Sequence, residues 1–417
     1  MKAKRILSID GGGIYGLMSA RWLRKLCERT KDFLSGEVWL FAGCSSGAVN
    51  SLLLATHDRP REVVLDGVLE RFWSDEGTFS NTDPDPFAQA LSWMGVTGWF
   101  GEKDFLKLLQ QHFKNAKGGQ LTLGELKQNV LISTFNWTGG KPHFPPALEG
   151  EGTPASSTAL LVAEMTSRLT QMWTQPMTPI QPEEDTSGNH GWRPYMFTNL
   201  EKQDAHYSVA DVAYGAATPP GFRALRGGIG DGASFSASPT ADAIGFAVKY
   251  RRDQIAAQGA KIASIIGDAL MKRADYDPRR TPLHGALEDI WLLSLGDGTF
   301  IPEYKEATTN VGFSLWGSMP ANPQDRGSYP PTAYSLQPAG EAARLIALAL
   351  LGERFHRMNP DLSEMPTVVA AYVAKWPPWR AAILEGIRHR SDCAASETCV
   401  EDALRFLRAE RWVGVAP

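Results

Sequence analysis

The 417-residue chain sets 42 Lys and Arg against 46 Asp and Glu, a formal charge of −4, with 43% hydrophobic and 21% charged residues. This balance excludes wholesale disorder and offers no basic surplus of the kind a nucleic-acid binder carries, so no nucleic-acid partner is expected. The length suits two or three domains or one large α/β unit with insertions, and glycines and prolines without a fixed period exclude a collagenous chain.

Cys27, Cys44, Cys393 and Cys399 are scattered and form no CxxC pair, so neither a disulfide framework nor a structural zinc site is expected. The basic start, Met1 to Arg5, leads into an apolar run that stops at Ser8 and Asp10, short of a secretory signal. No stretch approaches the roughly 18 apolar residues that would suggest a membrane span. The expectation is a cytoplasmic chain in a reducing compartment, in contact with membranes at most transiently and at their surface.

Ile6 to Ile9 reads as a strand, Asp10-Gly11-Gly12-Gly13-Ile14-Tyr15-Gly16 as a glycine turn, and Leu17 to Leu34 as a helix. Leu17, Ala20, Leu23, Leu26 and Cys27 recur there at helical spacing. The same order follows at once, with Val38 to Ala42 as a strand, Gly43-Cys44-Ser45-Ser46-Gly47 as a tight turn, and Ala48 to Ala55 opening a helix. Two consecutive strand–turn–helix units predict an α/β fold built on a mostly parallel sheet covered by helices.

Residues 60–130 read as helical, broken at Asp83-Pro84-Asp85-Pro86, and Val130 to Phe135 reads as a strand. Pro86 to Phe113 crowds Phe87, Trp93, Trp99 and Phe100 around glycines, which fits core packing or a lid at an apolar channel. From about Gly139 to Pro194 the composition predicts a surface insertion with one helix over Ala159 to Met172. The sheet pattern resumes at Met196-Phe197, at Arg226 to Ala233 and at Ile290 to Gly296. From Gly340 the pattern is helical, with Ala342, Leu345, Ile346, Ala349 and Leu350 on one face. The expected organisation is a catalytic domain over 1–300 with a surface insertion at 139–195, and a mainly helical extension over 301–417 packed on it.

The turns carry the chemistry. In Gly43-x-Ser45-x-Gly47, a serine on a sharp strand-to-helix turn projects its hydroxyl from the sheet edge, and glycines are needed where side chains would clash. The following helix aims its N-terminal N–H groups at the same point. The run Gly11-Gly12-Gly13 lets backbone N–H groups converge on one anion, so an oxyanion hole is expected. Phosphate binding is the weaker reading: no Gly-Lys-Ser/Thr of a phosphate-binding loop follows the glycines. For the base, none of the eight histidines stands in a glycine-framed loop after a strand. Asp231, between Gly230 and Gly232, is a candidate, and Asp297 in Leu295-Gly296-Asp297-Gly298 is its rival.

These motifs, Asp10 to Gly16, Gly43 to Gly47 and Asp231-Gly232-Ala233, in this order, resemble those of the patatin-like phospholipase family. Val130 to Trp137, Gly215 to Phe222 and Leu292 to Gly296 resemble supporting blocks of the same family, so the likeness spans roughly residues 5–300. The resemblance implies a patatin-like three-layer fold and a serine lipid acyl hydrolase, of phospholipase A or esterase type, working through a Ser–Asp dyad without metal or cofactor. It implies Ser45 as nucleophile and Asp231, in preference to Asp297, as base. It implies Gly11, Gly12, Gly13 and Ser46 as oxyanion hole, and a lipid or other acyl ester as substrate. Tyr15 stands where the family often has Arg or Lys, which moves the expected substrate toward neutral lipids or simple esters. The other readings are a non-catalytic ligand-binding or storage protein that keeps the fold, and a nucleotide-binding module.

Overall fold

The computed structural model describes residues 4–35, 38–74, 102–138, 141–144, 193–218, 225–266, 287–296, 331–360, 377–409 and 412–413. The strands are β1 (Lys4–Ile9), β2 (Leu40–Cys44), β3 (Val130–Asn136), β4 (Arg193–Thr198), β5 (Ile229–Asp231), β6 (Ile290–Leu295) and β7 (Phe355–Met358). They form one sheet in the order β4-β3-β2-β1-β6-β7, with β5 also pairing with β3. All neighbours from β3 to β7 along this path run parallel, while β4 and β5 each pair antiparallel with β3.

The helices are α1 (Gly16–Glu28), α2 (Ser46–Ala55), α3 (Pro60–Leu65), α4 (Val68–Ser74), α5 (Glu102–His112), α6 (Val209–Ala216), α7 (Thr240–Ile266), α8 (Pro331–Leu351), α9 (Pro377–Ser391) and α10 (Ala394–Ala409). Alternation along the strands sorts the core into two layers. Leu7, Ile9, Phe41, Ile132, Leu293 and Leu295 face one side, where Leu17 and Leu23 of α1, Leu52 of α2, Val209 of α6 and Leu404 of α10 meet them. Ile6, Leu40, Ala42, Leu131 and Leu292 face the other side, against Ala243 and Ala247 of α7 and Ala347 and Leu351 of α8. The expected mostly parallel α/β sheet with helices on both sides is therefore present.

Helix α2 lies against the sheet with all ten residues buried, which suits its largely apolar sequence. Helix α1 buries the stripe read from the sequence, together with Met18 and Trp22.

The C-terminal region differs from its sequence pattern in two respects. It supplies β7, which extends the sheet by pairing Phe355 to Met358 with Leu292 to Leu295. A four-residue strand between helical stretches is too short to show a period. Helix α8 also turns its other face inward. Ala343, Ala347 and Leu351 are buried, and Leu345 and Ile346 are 52% and 47% exposed. The small alanines let α8 approach the sheet closely, so bulk is not what selects the buried face here. Most of the surface insertion, the helix expected at Ala159 to Met172, most of the aromatic segment after Pro86, and Asp297 lie outside the described residues.

Candidate active site

Three chain segments converge at the carboxyl ends of β1, β2 and β5. Strand β2 runs through Gly43 and Cys44 and breaks sharply at Ser45, which has φ 51° and ψ −123° and precedes α2. A positive φ on a serine costs on the order of 1–3 kcal/mol, and the surroundings must hold it. They do so by backbone contact. A Cβ on Gly47 would lie 2.1 Å from the Ile9 carbonyl oxygen, and one on Gly43 2.4 Å from that of Gly47. The end of β1, the end of β2 and the first turn of α2 are thus locked together at separations that admit only glycine.

Register explains how Asp231 reaches this turn. On one flank of β3, Cys44 of β2 pairs with Ser133. At the next position, Thr134, β2 has turned away and β5 takes over, pairing Thr134 with Asp231. Asp231 therefore follows directly on Cys44 along the flank of β3, although 187 residues separate them in sequence. Its main-chain N–H donates to the Thr218 carbonyl at 2.9 Å, so the small-residue segment after α6 holds β5 in place. A Cβ on Gly232 would meet the Ser133 carbonyl oxygen at 2.4 Å, which explains the glycine after the aspartate.

The carboxylate is buried, 1% exposed. Its Oδ1 accepts from the Ala233 N–H at 2.9 Å and from the Cys44 thiol at 3.7 Å. Its Oδ2 is buried without a conventional hydrogen bond, and the Ser45 hydroxyl is the strongest of the polar influences that favour the ionised form. Desolvation outweighs them and lifts the Asp231 pKa from 3.8 to about 6. Burial, reinforced by the charge of Asp231, pushes the Cys44 thiol well above its ordinary value, so it stays protonated and acts as a donor. Among the described residues, no histidine hydrogen-bonds to Ser45 or Asp231.

The glycine turn after β1 lies directly over the elbow. A Cβ on Gly11 would come within 2.7 Å of the Ser45 Cβ. The Gly11 N–H donates to the Ala237 carbonyl at 3.0 Å, and the Gly12 N–H to Ser46 Oγ at 3.0 Å. Gly13 has φ 59°, and neither its N–H nor that of Ser46 has a hydrogen-bond acceptor among the described residues. Of the four expected amide donors, then, two are engaged in holding the turn and two are open.

Tyr15 is 1% exposed and belongs to the core. Gly16 fits against the Trp73 ring, and Asn50 ties the region together by donating to the Gly16 carbonyl and accepting from Trp73 Nε1.

A polar chain that the sequence reading missed backs the turn. Arg357 on β7 donates through Nη2 to Asp10 Oδ2 at 2.6 Å and through Nη1 to Ser294 Oγ at 2.8 Å. Ser294 accepts from Thr240, which also bonds to Ser8 and Ser238, all buried. No sequence pattern marks Arg357, which stands in the mixed run Gly352-Glu353-Arg354-Phe355-His356-Arg357-Met358. Among the described residues no group of His, Cys, Asp and Glu is arranged to hold a metal, and no helix is long and apolar enough to cross a membrane.

Comparison with known proteins adds three findings. A curated relative from Bacillus subtilis (strain 168), named "Putative sporulation hydrolase CotR", is 27% identical over 139 residues, which cover 32% of this chain and 37% of that protein. The chain therefore aligns with well under half of that relative's length. The crystal structure of VipD from Legionella pneumophila aligns over 98% of this chain and 80% of its own at 13% identity, with a TM-score of 0.27, too low to argue from. The family model for patatin-like phospholipase matches residues 7–244, more than half of the chain and the span from within β1 through both turns to beyond Asp231, and on that match the chain belongs to the patatin-like phospholipase family.

Proposed function

We propose that the chain is a serine lipid acyl hydrolase that cleaves carboxylic esters of lipids through Ser45 and Asp231. In this reading the Asp231 carboxylate takes the Ser45 proton as Oγ attacks the ester carbonyl carbon. The resulting oxyanion receives the open N–H groups of Gly13 and Ser46, at the N-terminus of α2, while Gly11 and Gly12 hold the shape of the hole. The C–O bond to the alcohol breaks, the alcohol leaves with the proton held on Asp231, and an acyl group remains on Ser45. Water then attacks this acyl-enzyme, giving its proton to Asp231, and the fatty acid departs as Ser45 Oγ is reprotonated.

The observation that carries the reading is the state of Asp231: fully buried beside Ser45, one oxygen engaged and the other open, with a pKa of about 6. Such a group is ionised at neutral pH yet basic enough to accept a proton in the transition state. The strained serine and the open amides support the same assignment. Incubation of the purified chain with a total lipid extract, followed by mass spectrometry, tests it. The expected result is release of free fatty acid from one or more lipid classes by wild type and none by Ser45→Ala. Equal release by both proteins, or no release from any lipid or simple ester, contradicts it.

A further inference from the structure

We infer that Arg357 is a positioning residue of this site, fastening the oxyanion turn to the sheet through Asp10; the inference rests on the dyad reading above. The turn from Asp10 to Gly16 contains no basic residue of its own. Its first residue, Asp10, is 4% exposed, and the guanidinium that meets it, 9% exposed, comes from a strand 347 residues later. A carboxylate so buried needs a partner, and removal of one member of such a pair leaves an uncompensated charge in the interior.

Two geometric features make Arg357 more than a generic ion-pair partner. Its guanidinium spans two strands, with one nitrogen on Asp10 at the end of β1 and the other on Ser294 of β6. It thereby fixes the point from which Gly11, Gly12 and Gly13 depart. A planar fork can hold two acceptors in fixed directions, and an ammonium cannot. Because a Cβ at Gly11 would come within 2.7 Å of the Ser45 Cβ, a small shift of Asp10 changes the distance between the open amides and the reacting carbon.

The second feature is charge. Asp10, Asp231 and Asp242 all act on Cys44 as negative neighbours, beside the serine where an oxyanion has to form. Of these three, Asp10 alone has a cation partner among the described residues. Arg357 therefore removes one negative charge from the vicinity of the developing oxyanion while touching neither substrate nor Ser45. The β7 strand that delivers it lies beyond the family match at residues 7–244, so the C-terminal region helps build this site.

The test compares full-length wild type, Arg357→Lys, Arg357→Gln and Ser45→Ala on 4-nitrophenyl butyrate. Active sites are counted by fluorophosphonate titration, and folding is checked by thermal melts. With the turn displaced by a fraction of an ångström to 1 Å, kcat per titrated site of Arg357→Gln is expected to fall on the order of 10²-fold, with KM little changed. Arg357→Lys, which restores the charge without the fork, is expected to lie between Gln and wild type. If Arg357→Gln does not fold, Arg357→Lys carries the test, and a several-fold loss of kcat per site is still required. Wild-type kcat per site in either folded variant overturns the inference while leaving the dyad standing. Wild-type turnover that does not depend on Ser45 overturns the dyad reading, and the inference with it.

Discussion

Two buried carboxylates stand at the carboxyl ends of β1 and β5, and their surroundings differ. Asp10 is paired with Arg357 at 2.6 Å, so its charge is matched inside the protein. Asp231 has an amide, a thiol and a hydroxyl near it but no cation among the described residues, and burial lifts its pKa to about 6. On the proposed reading one residue type serves two purposes: a matched carboxylate is a fixed brace, and an unmatched one can trade a proton near neutral pH.

The largest effect expected from breaking this contrast is on turnover. Asp231→Asn keeps the shape and removes the proposed base, so kcat on a simple ester should fall by about 10²–10⁴-fold. Circular dichroism should remain that of wild type. A variant that retains most of its activity would show that the proton goes elsewhere.

The next effect is on stability and has the opposite sign. The Asp231 pKa rises from 3.8 to about 6 on folding, so the native state binds the extra proton between those values. The resulting penalty is absent below about pH 3.8, grows through that window and is complete above about pH 6. At neutral pH it amounts to roughly 3 kcal/mol, and Asp231→Asn should be more stable than wild type by up to about that much. Urea unfolding of both proteins at neutral and acid pH checks this, since the gap should close as pH falls. A gap that widens toward acid would mean that the carboxylate is held in its charged form by partners.

The smallest effect belongs to Cys44. Its thiol hydrogen bond favours the ionised Asp231, so Cys44→Ala should raise the Asp231 pKa slightly. The acid limb of kcat/KM should then move to higher pH by a few tenths of a unit, in keeping with a weak sulfur donor. A shift to lower pH would contradict the arrangement of donors around Asp231.

Legibility in the sequence followed the range of the interactions. The Gly11–Gly13 and Gly43–Gly47 turns were readable because their mark on the sequence is local, glycines clustered just after an apolar strand, even where the backbone they approach belongs to the other turn. The parallel sheet was readable for the same reason, through two strand–turn–helix units in succession. The adjacency of Asp231 to Ser45 depends on β5 replacing β2 on the flank of β3, a register that no local pattern encodes. Glycines around Asp231 and the family resemblance pointed to it, whereas spacing alone left Asp297 open. Arg357 and the inward face of α8 were not readable. One depends on an ion pair between residues 347 apart, and the other buries alanines where bulk suggested leucines.

The central claim, that Asp231 activates Ser45, is tested most directly by the rate at which a fluorophosphonate modifies Ser45, followed by peptide mass across acidic to mildly alkaline pH. The account predicts an adduct on Ser45 whose formation rate rises once with pH, with a midpoint near the Asp231 pKa of about 6, and nearly vanishes in Asp231→Asn. A folded protein that gives no adduct, or a rate indifferent both to pH and to Asp231→Asn, would contradict it.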